Sequence, residues 1–208
     1  MLGLSKTESA ILKKLSTPIK IQNFLDAMPV NWEKHGETYM SVRRILREKK
    51  MHCLEGAFLA ATALWLRGEK PLVMDLKTNG SDDDHVVALY KKNNHWGAIS
   101  KTNHATLRFR DPIYKTLREL AVSYFHEYFD NRTGKKVLMS YSQPFNLKRF
   151  GSKWITAEED LFQIMEAIDD SPHLMIFPKK NAKFIRRADK MEKKAGRLIE
   201  WKKTNPRT

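Results

Sequence analysis

The stretch CLEGAFLAATALWLR, from Cys53 to Arg67, admits few structural solutions. It is apolar nearly all round and rich in strong helix formers, and Gly68 stands where a helix-ending glycine belongs. A helix that is hydrophobic on every side must be covered on every side, so it has to be central. Its length, about 22 Å at 1.5 Å per residue, crosses a small domain. Its first residue is the only cysteine in the chain. A thiol on a first helical turn sits at the positive end of the helix dipole, which favours thiolate. Most lone cysteines are small buried hydrophobes, so the helix alone does not assign chemistry.

The segments before this helix read as three short helices. Ser5 and Glu8 have capping-box spacing, with Ile11, Leu12 and Leu15 on one face. Thr17-Pro18 opens a second helix that buries Ile21, Phe24, Leu25 and Met28 before Pro29. Ser41 caps a third, ending at Glu48, with Val42, Ile45 and Leu46 inward. After the helix, strand-like runs dominate: PLVMDL (71–76), HVVALY (85–90), HWGAIS (95–100) and the alternating TLRFRD (106–111). They predict a sheet of about four strands, at least three of them an antiparallel meander. Pro112 is expected to end the last. Thr116 to Phe129 then reads as an aromatic-faced helix, Lys136 to Tyr141 as a strand, and Gln143 to Trp154 as irregular. Thr156 is expected to cap a helix carrying Leu161, Ile164, Met165 and Ile168, and 173–177 reads as a last strand.

Charge separates the tail from the body. The net charge is +14, and residues 179–208 supply most of it, with twelve Lys or Arg against three acids. Phe184, Ala188, Met191, Ala195 and Leu198 follow a 4-3-4-3 spacing, so Ala182 to Trp201 reads as an amphipathic helix docked on the domain with a lysine-coated outer face. The competing use of that tail is contact with nucleic acid or an acidic partner. The expected organisation is an N-terminal helical segment over 1–40, a core over 41–178, and the basic helix or tail over 179–208. One cysteine excludes an internal disulfide, and no window approaches a membrane span, so a cytoplasmic chain with no membrane partner is expected.

A thiol at a helix start, a strand opening with His85 and a strand ending at Asp111 contain the types needed for nucleophilic catalysis. The thiol needs a base, and the base needs an acceptor that fixes its tautomer. His95, at the hairpin and expected to be exposed, and His104, in a predicted turn, are alternative bases. His52 is set aside because adjacent residues at a helix start point apart. Asp82, Asp83, Asp84 and His85 read as a solvated loop rather than a metal site, since no calcium-loop glycine spacing or second histidine accompanies them. The Cys53 backbone N–H is one oxyanion-hole donor; no second is assignable.

CLEGAFLAATALWLRGEKPLVMDL resembles the nucleophile segment of the transglutaminase-like superfamily, in which a cysteine starts a helix leading through glycine and proline into a strand. HVVALY with HWGAIS resembles its histidine strand and the strand after it, and FRDPIY its aspartate-proline segment. The resemblance covers about residues 40 to 115. It implies an α+β, papain-like core, with the cysteine-bearing helix packed on an antiparallel sheet and helices at both termini. It also implies Cys53 as nucleophile, His85 as base and Asp111 as the residue orienting His85, with no cofactor. The chain departs from the family in the 26-residue step from His85 to Asp111, in Leu54 after the cysteine, and in the absence of an obvious oxyanion glycine or glutamine before it. The implied activity is a cysteine-dependent hydrolase or acyl transferase acting on a peptide or small amide or ester. The alternative is a catalytically inactive binding protein of the same fold.

Overall fold

The computed structural model describes residues 2–201. Three short helices, α1 (Lys6–Lys14), α2 (Pro18–Asp26) and α3 (Val42–Glu48), precede α4 (Cys53–Trp65). The side chains of Ser5, Thr17 and Ser41 accept from the backbone N–H of Glu8, Lys20 and Arg44, so each of the first three helices starts at its sequence cap. Every residue of α4 from Leu54 to Leu64 is buried. The helix ends two residues before Arg67, and Gly68 takes the left-handed conformation that a side chain would resist.

The strands are β1 (Leu72–Thr78), β2 (His85–Lys92), β3 (His95–Ile99), β4 (Arg110–Tyr114), β5 (Leu138–Ser142), β6 (Phe145–Asn146) and β7 (His173–Met175). They form one antiparallel sheet in the order β4-β3-β2-β1-β5-β7, with β6 also on β1. The fold is thus α+β. Asn93 and Asn94, both at positive φ, make the tight β2–β3 turn. Alternation through β1 and β2 divides the core. Val73, Val86, Ala88 and Tyr90 face α4 and the N-terminal helices. Met74, Leu76, Val87 and Leu89 face α5 (Leu117–Phe125) on the other side. Both faces are covered, which is why these strands read as continuous apolar runs. The core around α4 reaches from Leu4 to Ile168, so residues 1–40 share it rather than forming a body of their own.

Four expectations are corrected. The strand after β3 is not 106–111: it begins at Arg110 and carries Pro112 inside it. β4 is an edge strand, paired on one side only, where the missing proline N–H costs no ladder bond. The aromatic helix stops at Phe125 rather than Phe129, leaving Tyr128 and Phe129 buried beyond its end. Thr156 closes a 3₁₀ turn instead of capping a helix, and α6 (Phe162–Asp169) starts six residues later with no side-chain cap. The tail is not one long helix: α7 (Lys190–Gly196) spans seven residues, and Phe184, Met191 and Leu198 are exposed. Backbone bonds take part in docking it. Ala188 N–H donates to Gly134, Ala105 to Leu198 and Glu200 to Asn103.

Gly56 lies on α4 one turn from Cys53, and a Cβ there would stand 2.4 Å from Lys101 Cβ. Helix propensity favours alanine by about 1 kcal/mol, but overpacking against the root of a buried side chain costs about 1–3 kcal/mol or more. Gly56→Ala should therefore lower the midpoint of thermal unfolding by several degrees, at roughly 2–4 °C per kcal/mol. A raised midpoint would show that the helix does not pack this closely on Lys101.

Candidate active site

Cys53 is half-buried at the first residue of α4 and lies where two cavities meet, of about 320 and 410 Å³. Both are lined by Glu33, His52, Cys53, Asp83 and Asp84. The first continues past His85 into the 101–107 loop and Tyr128; the second runs along Asp75, Tyr39 and the end of α6.

The structure brings Cys53 and His85 together. His85 opens β2, is buried, lines the same cavity as the thiol, and is one of the groups that lower its pKa. Its Nε2 lies 2.8 Å from Ser100 Oγ. The single proton of Ser100 goes to the Leu107 carbonyl, at 2.5 Å. Ser100 can then only accept from His85, so Nε2 carries a proton and Nδ1 is left for Cys53. Leu107 holds this acceptor at φ +59°, a conformation that costs a non-glycine residue about 1 kcal/mol or more. Its N–H donates to Glu127 at 2.7 Å, which anchors the strained position.

Asp111 is not brought to this site. It is exposed on β4 and lines neither cavity. The reason is the late start of β4: residues 101–109 form a cleft-lining loop, and the chain reaches Asp111 only at the sheet edge. Ser100 occupies the position at His85 that the sequence suggests for Asp111. The alternative bases are also off the thiol. His95 Nδ1 pairs with the Asn93 carbonyl in the hairpin, and His104 Nδ1 with the Gly196 carbonyl, tying the tail to the cleft rim.

His52, set aside on sequence grounds, is beside the thiol after all. As the residue before α4 it is extended (φ −94°, ψ −173°), so its ring does not follow helical geometry. Its Nε2 donates to the Thr38 carbonyl at 2.7 Å and lies 3.4 Å from Glu55 Oε1. Burial works against a charge on His52, but the hydrogen bond with Cys53 and the Glu55 carboxylate outweigh it and raise its pKa to about 9. Burial likewise opposes the thiolate, yet hydrogen bonds from His52 and His85 and their charges bring Cys53 down to about 5. In its protonated form the thiol reaches the Asp84 carbonyl at 3.9 Å.

Glu55, on the first turn of α4, has no exposure at all. Oε2 accepts from the backbone N–H of His52 at 2.9 Å and Oε1 from that of Met40 at 3.0 Å. Asn31 and Thr38 donate to the same carboxylate. Burial raises its pKa against the pull of His52 and these donors. The spacing His52–Glu55 is that of a capping box, and this was the one trace of the arrangement visible in the sequence.

Lys101, buried behind the cleft, spends its Nζ on the carbonyls of Leu25 and Met28, and burial lowers its pKa to about 8. Neither models of known protein families nor curated proteins give a match to this chain.

Proposed function

We propose that the protein is a cysteine-dependent hydrolase or acyl transferase of the transglutaminase-like type, acting on an amide or ester through a thioester. One observation carries the reading: the only thiol in the chain starts a buried helix between two imidazoles, and a serine fixes the tautomer of one of them. The order of parts supports it further, with a cysteine on a helix, a histidine opening the strand packed on that helix, and the histidine's partner at the end of the next strand.

In this mechanism His85 Nδ1 takes the proton of the Cys53 thiol, the thiolate attacks the carbonyl carbon, and the developing oxyanion lies at the N-terminus of α4. The tetrahedral intermediate collapses with loss of an amine or alkoxide, which takes a proton from His85 Nδ1 and leaves a thioester on Cys53. Water, or an amine, then enters. His85 Nδ1 removes its proton, and the thioester carbon passes to the oxygen or nitrogen. Ser100 keeps His85 Nε2 protonated throughout. His52, charged at neutral pH, holds Cys53 as thiolate between turnovers.

Incubation with p-nitrophenyl acetate followed by intact mass measurement tests this. One acetyl group is expected on Cys53, removable by hydroxylamine, and none on Cys53→Ala. His85→Ala should slow both formation and loss of that adduct by about 100-fold or more. Acetylation on lysines only, unchanged in Cys53→Ala, would refute the reading.

A further inference from the structure

We propose that Asp75, Asp84 and Asp169 bind one divalent cation of calcium's size on the wall of the cleft beside Cys53. The three come from separate elements: Asp75 from β1, Asp84 from the residue before β2, and Asp169 from the last residue of α6. All three line the same cavity. One ligand atom of each lies within 4.8 Å of the others.

The independent sign is at Asp75. This carboxylate is 2% exposed, and its Oδ1 has no hydrogen-bond partner among the described residues. Its Oδ2 meets His173 Nε2 at 3.1 Å. A buried carboxylate oxygen without a donor is costly, and a cation removes that cost. The other two acids do not supply protons to it. Asp84 Oδ1 accepts from Thr78 N–H at 2.6 Å, and Asp169 pairs with Lys77. Among the described residues, the ion pairs of these carboxylates are with two basic side chains, Lys77 and His173.

Ligand type and reach bear on the ion. Oxygens across a calcium ion, at 2.3–2.6 Å each, are separated by at most about 5 Å; across magnesium, at 2.0–2.1 Å, by at most about 4.2 Å. Atoms within 4.8 Å of one another lie inside calcium's reach, and three protein carboxylates suit an ion that sheds water more readily than magnesium does. Three carboxylate oxygens leave the remaining positions of a six- to eight-fold shell to water from the open side of the cavity. Lys77 is the competing cation. Its side chain is about a third exposed, so it can leave Asp169 for solvent. The site stands apart from the chemistry proposed for Cys53 and can fail or hold independently of it.

The test is calorimetric titration of the full chain with calcium chloride after chelator dialysis, with thermal unfolding in parallel. Expected are one ion per chain and a midpoint raised by about 5–10 °C at roughly 100-fold excess over Kd. Magnesium should bind at least about 10-fold more weakly. Asp169→Asn, half-exposed and away from the thiol, should lose about 10-fold or more in affinity while staying folded. Lys77→Met should tighten binding several-fold by removing the competitor. No heat and no thermal shift at ~10 mM calcium would overturn the proposal. So would binding that neither Asp169→Asn nor Asp75→Asn changes, which would place the ion elsewhere.

Discussion

Cys53 should be alkylated by iodoacetamide with a rate–pH midpoint of about 5, and His52→Gln should move that midpoint upward. The chain has one cysteine, so any label reports on this site alone. The midpoint is the quantity to measure, because the rate at one pH understates the effect. At pH 6 a thiol with pKa near 5 is about 90% thiolate, against about 0.3% for an ordinary one near 8.5. A low-pKa thiolate is also a weaker nucleophile, by roughly 25- to 50-fold over 3.5 units at a Brønsted coefficient of 0.4–0.5. The net rate advantage is therefore only about 5- to 10-fold, while the midpoint moves by the full shift. The direction follows from the geometry. Burial alone would hold the thiol up, and two imidazoles bring it down. Removing His52 leaves burial and His85, so the midpoint rises. His85→Gln should raise it too, and the double variant furthest. A wild-type midpoint of roughly 8.5 would mean that the imidazoles do not hold the thiolate in solution.

The parts of this site that were legible in the sequence are those set by local pattern. Cys53 opens α4 because an apolar run bounded by Gly68 can only be a central helix. His85 opens β2 because a polar loop ends there and a β-branched run begins. Ser5, Thr17 and Ser41 were readable as caps because capping is a contact within four residues. What failed depends on partners distant in the chain. An Asp111 that reaches His85 requires TLRFRD to be a strand. The alternation is real, but Ser100 and Glu127 take the backbone of Leu107, the loop bends there at positive φ, and β4 starts only at Arg110. Ser100 left no mark of its own, since a serine at a strand end is ordinary. The tail's apolar spacing likewise suggested a helical seam, but backbone bonds to Asn103, Ala105 and Gly134 hold that segment instead. Asp75 sits in an apolar strand, where a lone aspartate is the anomaly worth questioning, yet its neighbours Asp84 and Asp169 come together only through the sheet and α6.

The largest loss of stability should come from Glu55→Ala. The carboxylate is fully buried and collects backbone N–H groups from two segments, Met40 before α3 and His52 at the start of α4. Removing it strands those two backbone donors and leaves the His52 charge without its nearest acid. Breaking a buried charged network of this kind costs about 3–5 kcal/mol, or roughly 6–20 °C in midpoint at this chain length. Glu55→Gln separates the two duties of the residue. An amide has one accepting oxygen, so it can satisfy either the Met40 or the His52 N–H, and its NH₂ then faces the other donor. It should cost less than alanine, about 1–3 kcal/mol, and stay folded. Its charge is gone, however, and that charge is one of the groups keeping His52 protonated. With His52 less often charged, the Cys53 midpoint should rise in Glu55→Gln as it does in His52→Gln, and the two changes should not add, because they act through the same imidazole. Thermal unfolding of both Glu55 variants, with alkylation profiles of Glu55→Gln, His52→Gln and the pair, measures this. A Glu55→Gln chain with an unmoved thiol midpoint would confine Glu55 to holding the loop before α3, and His52 would then owe its charge to Cys53 and the Thr38 carbonyl.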